Sequence, residues 1–476
     1  MKRPRIYLWL GLAVITLFAL FTAQTDAGIS GIPGGRLSTV QSIGERGVFF
    51  VENSLFRSVD NIKFDQHLYS DKPPLAQLIY GTIYRTGRNL GMPEFATNRT
   101  AALYWLNLLF FISVNGTIFI WLFNALRREK GGTLRLKFLL SLLCVCGSWL
   151  LSYGTIFNNH NLTALAILGM LVSVQKMQRK PTLLAAFLCG ASAGFAGNFE
   201  LPAGVFCGAA AIAATAFCAP SGKRFKFVLN CAAGGLLLLL TFFLLNYYAA
   251  KSFLPLYLVS GGTYTTPQVW KDGYLTYALD AFFLTRGLFS YQPFLLFGVW
   301  YILRNIKRLD GGSLSISAGI TGLMIFYVFM TNEYGGWAYG FRYYIQVIPV
   351  LWFFASLWLL KSCKSKLFHA AAAIMLAAGI ITGAVGTYAP YTVAYEGAKT
   401  PDGHFTEKIQ STFCGNLMSM IYRYAPESKI FHAMRNYYGA KAADDYLLWS
   451  FINRNIPDER LCITDRNETL RRLLKK

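Results

Sequence analysis

Repeated apolar runs of 17 or more residues constrain this 476-residue chain more than any other feature. Runs of that length match the hydrocarbon core of a bilayer, where backbone polar groups must be satisfied within the spanning structure itself. With 54% hydrophobic residues in the whole chain, they read as an all-α polytopic membrane protein of about eleven spans. The first is Ile6–Ala23, an 18-residue run that is longer than the apolar core of a signal peptide. The others fall near 99–126, 134–152, 161–178, 181–199, 201–218, 227–250, 287–303, 313–331, 343–360 and 367–387.

A net charge of +22 invites a nucleic-acid partner, but the position of the charge argues otherwise. Six clusters, from Lys2–Arg5 to Lys361–Lys366, hold 20 basic residues against two acids, Glu129 and Asp310. They fall at every second connection between spans, the pattern of the positive-inside rule. The charge is therefore a topology signal, the bilayer is the partner, and no nucleic acid is implied. The expected localisation is the inner (plasma) membrane, with the N-terminus cytoplasmic and the C-terminus extracytoplasmic. Residues 1–387 then form the transmembrane domain, and 388–476 an extracytoplasmic region too polar to span. The 24–98 loop lies outside, with seven acids and seven bases. Within it, Arg36–Gly47 and Pro74–Arg88 have helical spacing and are expected along the membrane surface.

Seven of nine cysteines lie in or beside spans, where cysteine behaves as a small hydrophobe. Cys414 and Cys462 lie in the outside tail, where an oxidising compartment would let them pair. No CxxC or Cys/His cluster marks a metal site.

The polar residues on the outer face are few. HLYSDKPPLAQLIY sets His67, Tyr69, Asp71 and Lys72 before a rigid Pro73-Pro74 pair. A cation and a carboxylate fixed there suit a phosphate head group, or else an interfacial anchor with a snorkelling lysine. Farther on, NNH carries His160, GNFELP carries Glu200 at a break made by Pro202, and TNEYGGWAYGFRYY carries Glu333, Trp337 and Arg342. Charged residues at membrane depth are costly and face a cavity or a partner. Topology puts all of these on the side that holds Lys72.

The blocks YSDKPPL, NNH, GNFELPA, RGLFSYQPFLL and GGWAYGFRYYIQVIPVL resemble, in order, those of bacterial GT-C membrane glycosyltransferases. These are relatives of the protein O-mannosyltransferases and of the lipid A aminoarabinose transferase, and the resemblance covers about residues 1–390. It implies an inverting transfer of a sugar from a polyprenyl-phosphate donor to a hydroxyl acceptor on lipid, glycan or protein, at an outer-face site. By the resemblance, Lys72 and Arg342 grip the donor phosphate. His67, Tyr69, His160, Glu200, Glu333 and Trp337 fall in the substrate cavity.

The chain departs from the family where a catalytic acid is expected, just before Arg36, and has Ile32-Pro33-Gly34-Gly35 instead. The general base is then Asp60, Asp71 or Asp26. No resident cofactor is implied beyond a possible divalent cation, for which no compact ligand motif exists. Two rival readings stay open, a non-catalytic lipid- or glycan-binding relative and a membrane transporter or flippase. The latter lacks the paired broken helices and internal repeat it would need.

Overall fold

The computed structural model describes residues 3–25, 32–56, 58, 60–259, 273–331, 335–336, 338–362, 365–392, 411–454, 458–464 and 468. Seven helices among them are long and apolar enough to cross a membrane: Pro4–Thr22, Phe95–Leu126, Leu201–Cys218, Arg224–Ala250, Gly311–Met330, Arg342–Lys361 and Lys366–Tyr388. Leu183–Phe199 and Leu295–Arg304 are apolar but shorter.

Seven is fewer than eleven in part because several expected spans are interrupted. The stretch 134–152 divides into Leu134–Cys146 and Trp149–Gly154. Ser148 caps the second piece by accepting from the Leu150 amide. Glycine permits this corner, since a Cβ at Gly383 of the neighbouring helix would come within 2.9 Å of the Ser148 carbonyl oxygen. Pro293 likewise falls between Leu288–Tyr291 and Leu295–Arg304, where its missing amide hydrogen interrupts the helical ladder. The segment after Arg342 opens as a 3-10 turn, Arg342–Val347, before Ile348–Leu357, a helix buried on every side and apolar throughout except for Ser356.

The 24–98 segment differs more from expectation. The helix Ile32–Arg46 is covered by other parts of the protein along nearly its whole length. Its Arg36, Ser38, Thr39, Gln41 and Ser42 are each no more than 4% exposed. A polar helix tolerates burial when its groups find partners. Gln41 accepts from the Ser54 hydroxyl and the Leu55 amide, each at 2.9 Å, and donates to Glu45. The helix packs on Leu75–Asn89 through glycines, Gly44 against Tyr84 and Gly81 against Ile43, where no Cβ would fit.

Between these helices runs a hairpin, Asn61–Phe64 antiparallel to His67–Ser70. Its register sets Phe64 opposite His67 at the turn and Asn61 opposite Ser70 at the open end. The Asp71 amide donates to the Asp60 carbonyl at 3.0 Å, so the pairing runs one residue further and brings the two aspartates side by side.

After residue 411 the chain forms the helices Thr412–Tyr424, Lys429–Tyr438 and Ala440–Arg454, closing on a core that includes Met418, Tyr446, Leu447 and Phe451. The expected Cys414–Cys462 disulfide is not formed. Cys414 lies half-buried beside Tyr438, and Cys462 is exposed in a left-handed turn with φ 55°.

Candidate active site

The stiff Pro73-Pro74 pair ends the hairpin and opens the helix Leu75–Asn89, leaving Lys72 at the junction. Its Nζ donates to Asp71 Oδ2 at 2.8 Å and lies 3.6 Å from Asp60 Oδ2. All three side chains are largely shielded, at 11–21% exposure. Asp71 Oδ1 and Asp60 Oδ2 accept no hydrogen bond from the described residues. Burial pushes the Asp71 carboxyl above the ordinary aspartate range, Lys72 opposes this, and the nearby Asp60 adds to it.

Asp60 stands against a bare backbone. A Cβ on Gly35 would come within 3.2 Å of the Asp60 Cβ and 3.6 Å of the Ser58 and Ser70 hydroxyls. A carboxylate thus stands beside this helix turn, carried by a residue 25 positions after Gly35.

A second polar group lies deeper, at the end of the membrane helices. Glu200 sits in extended backbone between Leu183–Phe199 and Leu201–Cys218, whose second residue is Pro202. It accepts from the Asn159 side chain and lies 3.2 Å from His160 Nδ1. Arg36, Lys72 and Arg342 all come within electrostatic reach of Glu200 and His160. Arg342 is 4% exposed, with its guanidinium 5.0 Å from the Tyr343 ring centre. Gly335 and Gly336 turn beneath it with φ of 86° and 67°, a conformation that favours glycine.

The loop that carries Arg342 is held from several sides. The Gly340 amide donates to Thr412 Oγ1, the Tyr339 amide to the Pro390 carbonyl and the Phe341 amide to the Arg286 carbonyl, each at 2.9 Å.

The structure thus gathers Asp60, Asp71 and Lys72, and sets Arg342, His160 and Glu200 in one electrostatic neighbourhood with them. Tyr69 borders the same cleft as Lys72. His67 stands apart: at the hairpin's turn end it is half-exposed, bonded to Glu52 at 2.8 Å and stacked on Phe50. Strand register explains this, since His67 and Lys72 occupy opposite ends of the ladder. Asp26, Glu333 and Trp337 lie outside the described residues. Sequence reasoning passed over Arg36 and Gln77, both buried; only their place on otherwise amphipathic helices could have signalled them. Among the described residues no three His, Cys, Asp or Glu side chains converge as metal ligands.

The fold is shared with solved structures of ArnT. Two solved structures of ArnT from Cupriavidus metallidurans are similar to this chain. The apo state matches with a TM-score of 0.54 at 13% identity, over 96% of this chain and 76% of that one. The structure bound to undecaprenyl phosphate matches with a TM-score of 0.53 at 13% identity, over 96% and 77%. At such identity the likeness is one of fold. No protein-family model matches the sequence, and no curated protein sequence does.

Proposed function

We propose that the protein moves a sugar from a polyprenyl-phosphate donor to a hydroxyl acceptor at the outer face of the membrane. The observation that carries this reading is the Asp60–Lys72–Asp71 group, set beside Gly35 in a GT-C fold. The undecaprenyl phosphate bound by the similar ArnT structure supports a lipid phosphate as the ligand class.

In this mechanism Lys72 and Arg342 stabilise the donor phosphate. Asp71 holds Lys72 by the 2.8 Å ion pair and so fixes where the cation points. Asp60, whose Oδ2 accepts no hydrogen bond from the described residues and lies 3.6 Å from Lys72 Nζ, takes the proton of the acceptor hydroxyl. The acceptor oxygen bonds to the anomeric carbon from the face opposite the phosphate, the bond from that carbon to the phosphate oxygen breaks, and the phosphate leaves with the electron pair. The configuration inverts. Charge growing on the leaving group is met by fixed cations in a shielded site, where such electrostatics are strongest. No step above depends on a divalent cation.

The test is transfer by purified protein in nanodiscs, with undecaprenyl-phosphate sugars as donors. Lys72→Ala should lower turnover by roughly 10²–10³. Asp60→Asn should abolish turnover while bare undecaprenyl phosphate still binds. Donor binding without turnover in the wild type, unaffected by Asp60→Asn, would instead favour a lipid-binding relative.

A further inference from the structure

The turn between the helices Leu295–Arg304 and Gly311–Met330 holds three cations in five residues, Arg304, Lys307 and Arg308. Gly311–Met330 is long and apolar enough to cross a membrane, so the turn before it lies near the depth of lipid head groups. The turn is tightly folded. The Arg308 and Leu309 amides both donate to the Asn305 carbonyl, at 2.7 and 2.8 Å, and the Asn305 amide donates to the Tyr301 carbonyl at 3.1 Å. A concavity of about 410 Å³ opens there, lined by Leu303, Arg304, Asn305, Ile306, Lys307 and Arg308. All but the half-buried Asn305 are exposed, within reach of a ligand from outside.

None of the three cations is paired with a carboxylate among the described residues. Asp310 is the acid nearest in sequence, and both its oxygens are engaged. They accept from the Ser313 amide and hydroxyl, each at 2.8 Å, and from the Gln178 side chain. Another basic cluster behaves differently, since there Glu129 takes Lys361 at 2.7 Å and Arg179 at 3.2 Å. At the 304–308 turn the charges are left to an anion from outside.

The apolar neighbours decide which anion. Leu303 and Ile306 line the same concavity and are exposed, as is Trp300 one turn earlier on the helix. Inorganic phosphate would leave all three in water. A glycerophospholipid sets its phosphate among the cations and lays its acyl chains on the apolar side chains, with the indole at the boundary. Basic pockets at the ends of membrane helices hold anionic head groups in this way.

We propose that this turn binds an anionic glycerophospholipid, its head-group phosphate held by Arg304, Lys307 and Arg308. The site shares no residue with the Asp60–Lys72–Asp71 group and does not depend on the polyprenyl-phosphate reading.

The test titrates the full-length protein in a neutral detergent with phosphatidylglycerol, cardiolipin or phosphatidylcholine, and reads the tightest-bound lipid by native mass spectrometry. The wild type should hold at least one of the two anionic lipids roughly 10–100-fold more tightly than phosphatidylcholine. Combined Arg304→Gln, Lys307→Gln and Arg308→Gln should lower that preference by about tenfold or more. The matching glutamine changes at Lys223, Arg224 and Lys226, in a different basic turn, should leave it in place. Lys307→Gln alone serves if the triple variant does not fold, with a loss of roughly fivefold expected. A wild type with no preference, a preference that survives the substitutions at 304–308, or one lost equally by the change at 223–226 would each overturn the proposal. Displacement of the bound lipid by inorganic phosphate as readily as by phosphatidylglycerol would also overturn it, because the turn would then take a free anion.

Discussion

Asp60 and Gly35 lie in contact although 25 residues separate them, and a Cβ at position 35 would come within 3.2 Å of the Asp60 Cβ. That closeness links the missing acid before Arg36 to the acid in the hairpin. A carboxylate beside this helix turn can arrive from the helix itself or from the strand packed over it. In this chain Asp60, one residue before the strand Asn61–Phe64, stands there, and glycine leaves the room.

Gly35→Ala tests that dependence. The added methyl presses on the Asp60 Cβ, and the neighbour must give by a few tenths of an ångström. Catalytic geometry is sensitive to shifts well under 1 Å, so turnover should fall by about tenfold with affinity for undecaprenyl phosphate unchanged. Turnover equal to the wild type would show that the position of Asp60 is not critical.

The Asp71 carboxyl gives a pH-dependent expectation. Burial raises its folded pKa above the unfolded value of 3.8. A carboxyl raised in this way favours folding fully below the unfolded value and loses that contribution as pH rises through the folded one. Asp71→Asn is neutral throughout. Its Tm should match the wild type near pH 3.8 and gain on it as pH climbs toward neutrality. A difference that shrinks with rising pH would mean that the Lys72 attraction outweighs burial.

Thr412 ties the C-terminal helices to the Arg342 loop. Its hydroxyl accepts from the Gly340 amide at 2.9 Å and lies 3.0 Å from the Tyr291 hydroxyl. Thr412→Val keeps the shape and leaves a buried amide without a partner, at a cost of about 1–3 kcal/mol. The expected result is a lower Tm in thermal denaturation together with weaker undecaprenyl-phosphate binding. Unchanged values for both would show that the bond to the loop is dispensable.

The charge pattern gives an expected orientation. Cysteines placed at exposed Asn53 and Tyr437, with Cys462 replaced by serine, should react with a membrane-impermeant maleimide in intact cells. A cysteine at Arg128, in a basic loop expected inside, should react only after lysis. The reverse pattern would invert the membrane and move the site to the cytoplasmic face.

Hydropathy and charge are carried residue by residue, and what depends on them was legible in the sequence. The apolar runs marked the helices, the Lys/Arg clusters marked their alternation, and SDKPP marked a lysine held next to its aspartate. Pro202 and the Gly335-Gly336 pair marked breaks that the structure contains. The tertiary structure decided what depends on packing across distance. Hairpin register put Asp60 beside Asp71 and sent His67 to the far end. Glycine contacts drew Ile32–Arg46 into the interior, burying a polar face that reads in sequence as a surface helix. Gln77 looks like any glutamine on an amphipathic helix until burial removes its water. Which carboxylate or arginine meets a ligand depends on pairing and packing partners far along the chain, and local composition carries no record of them.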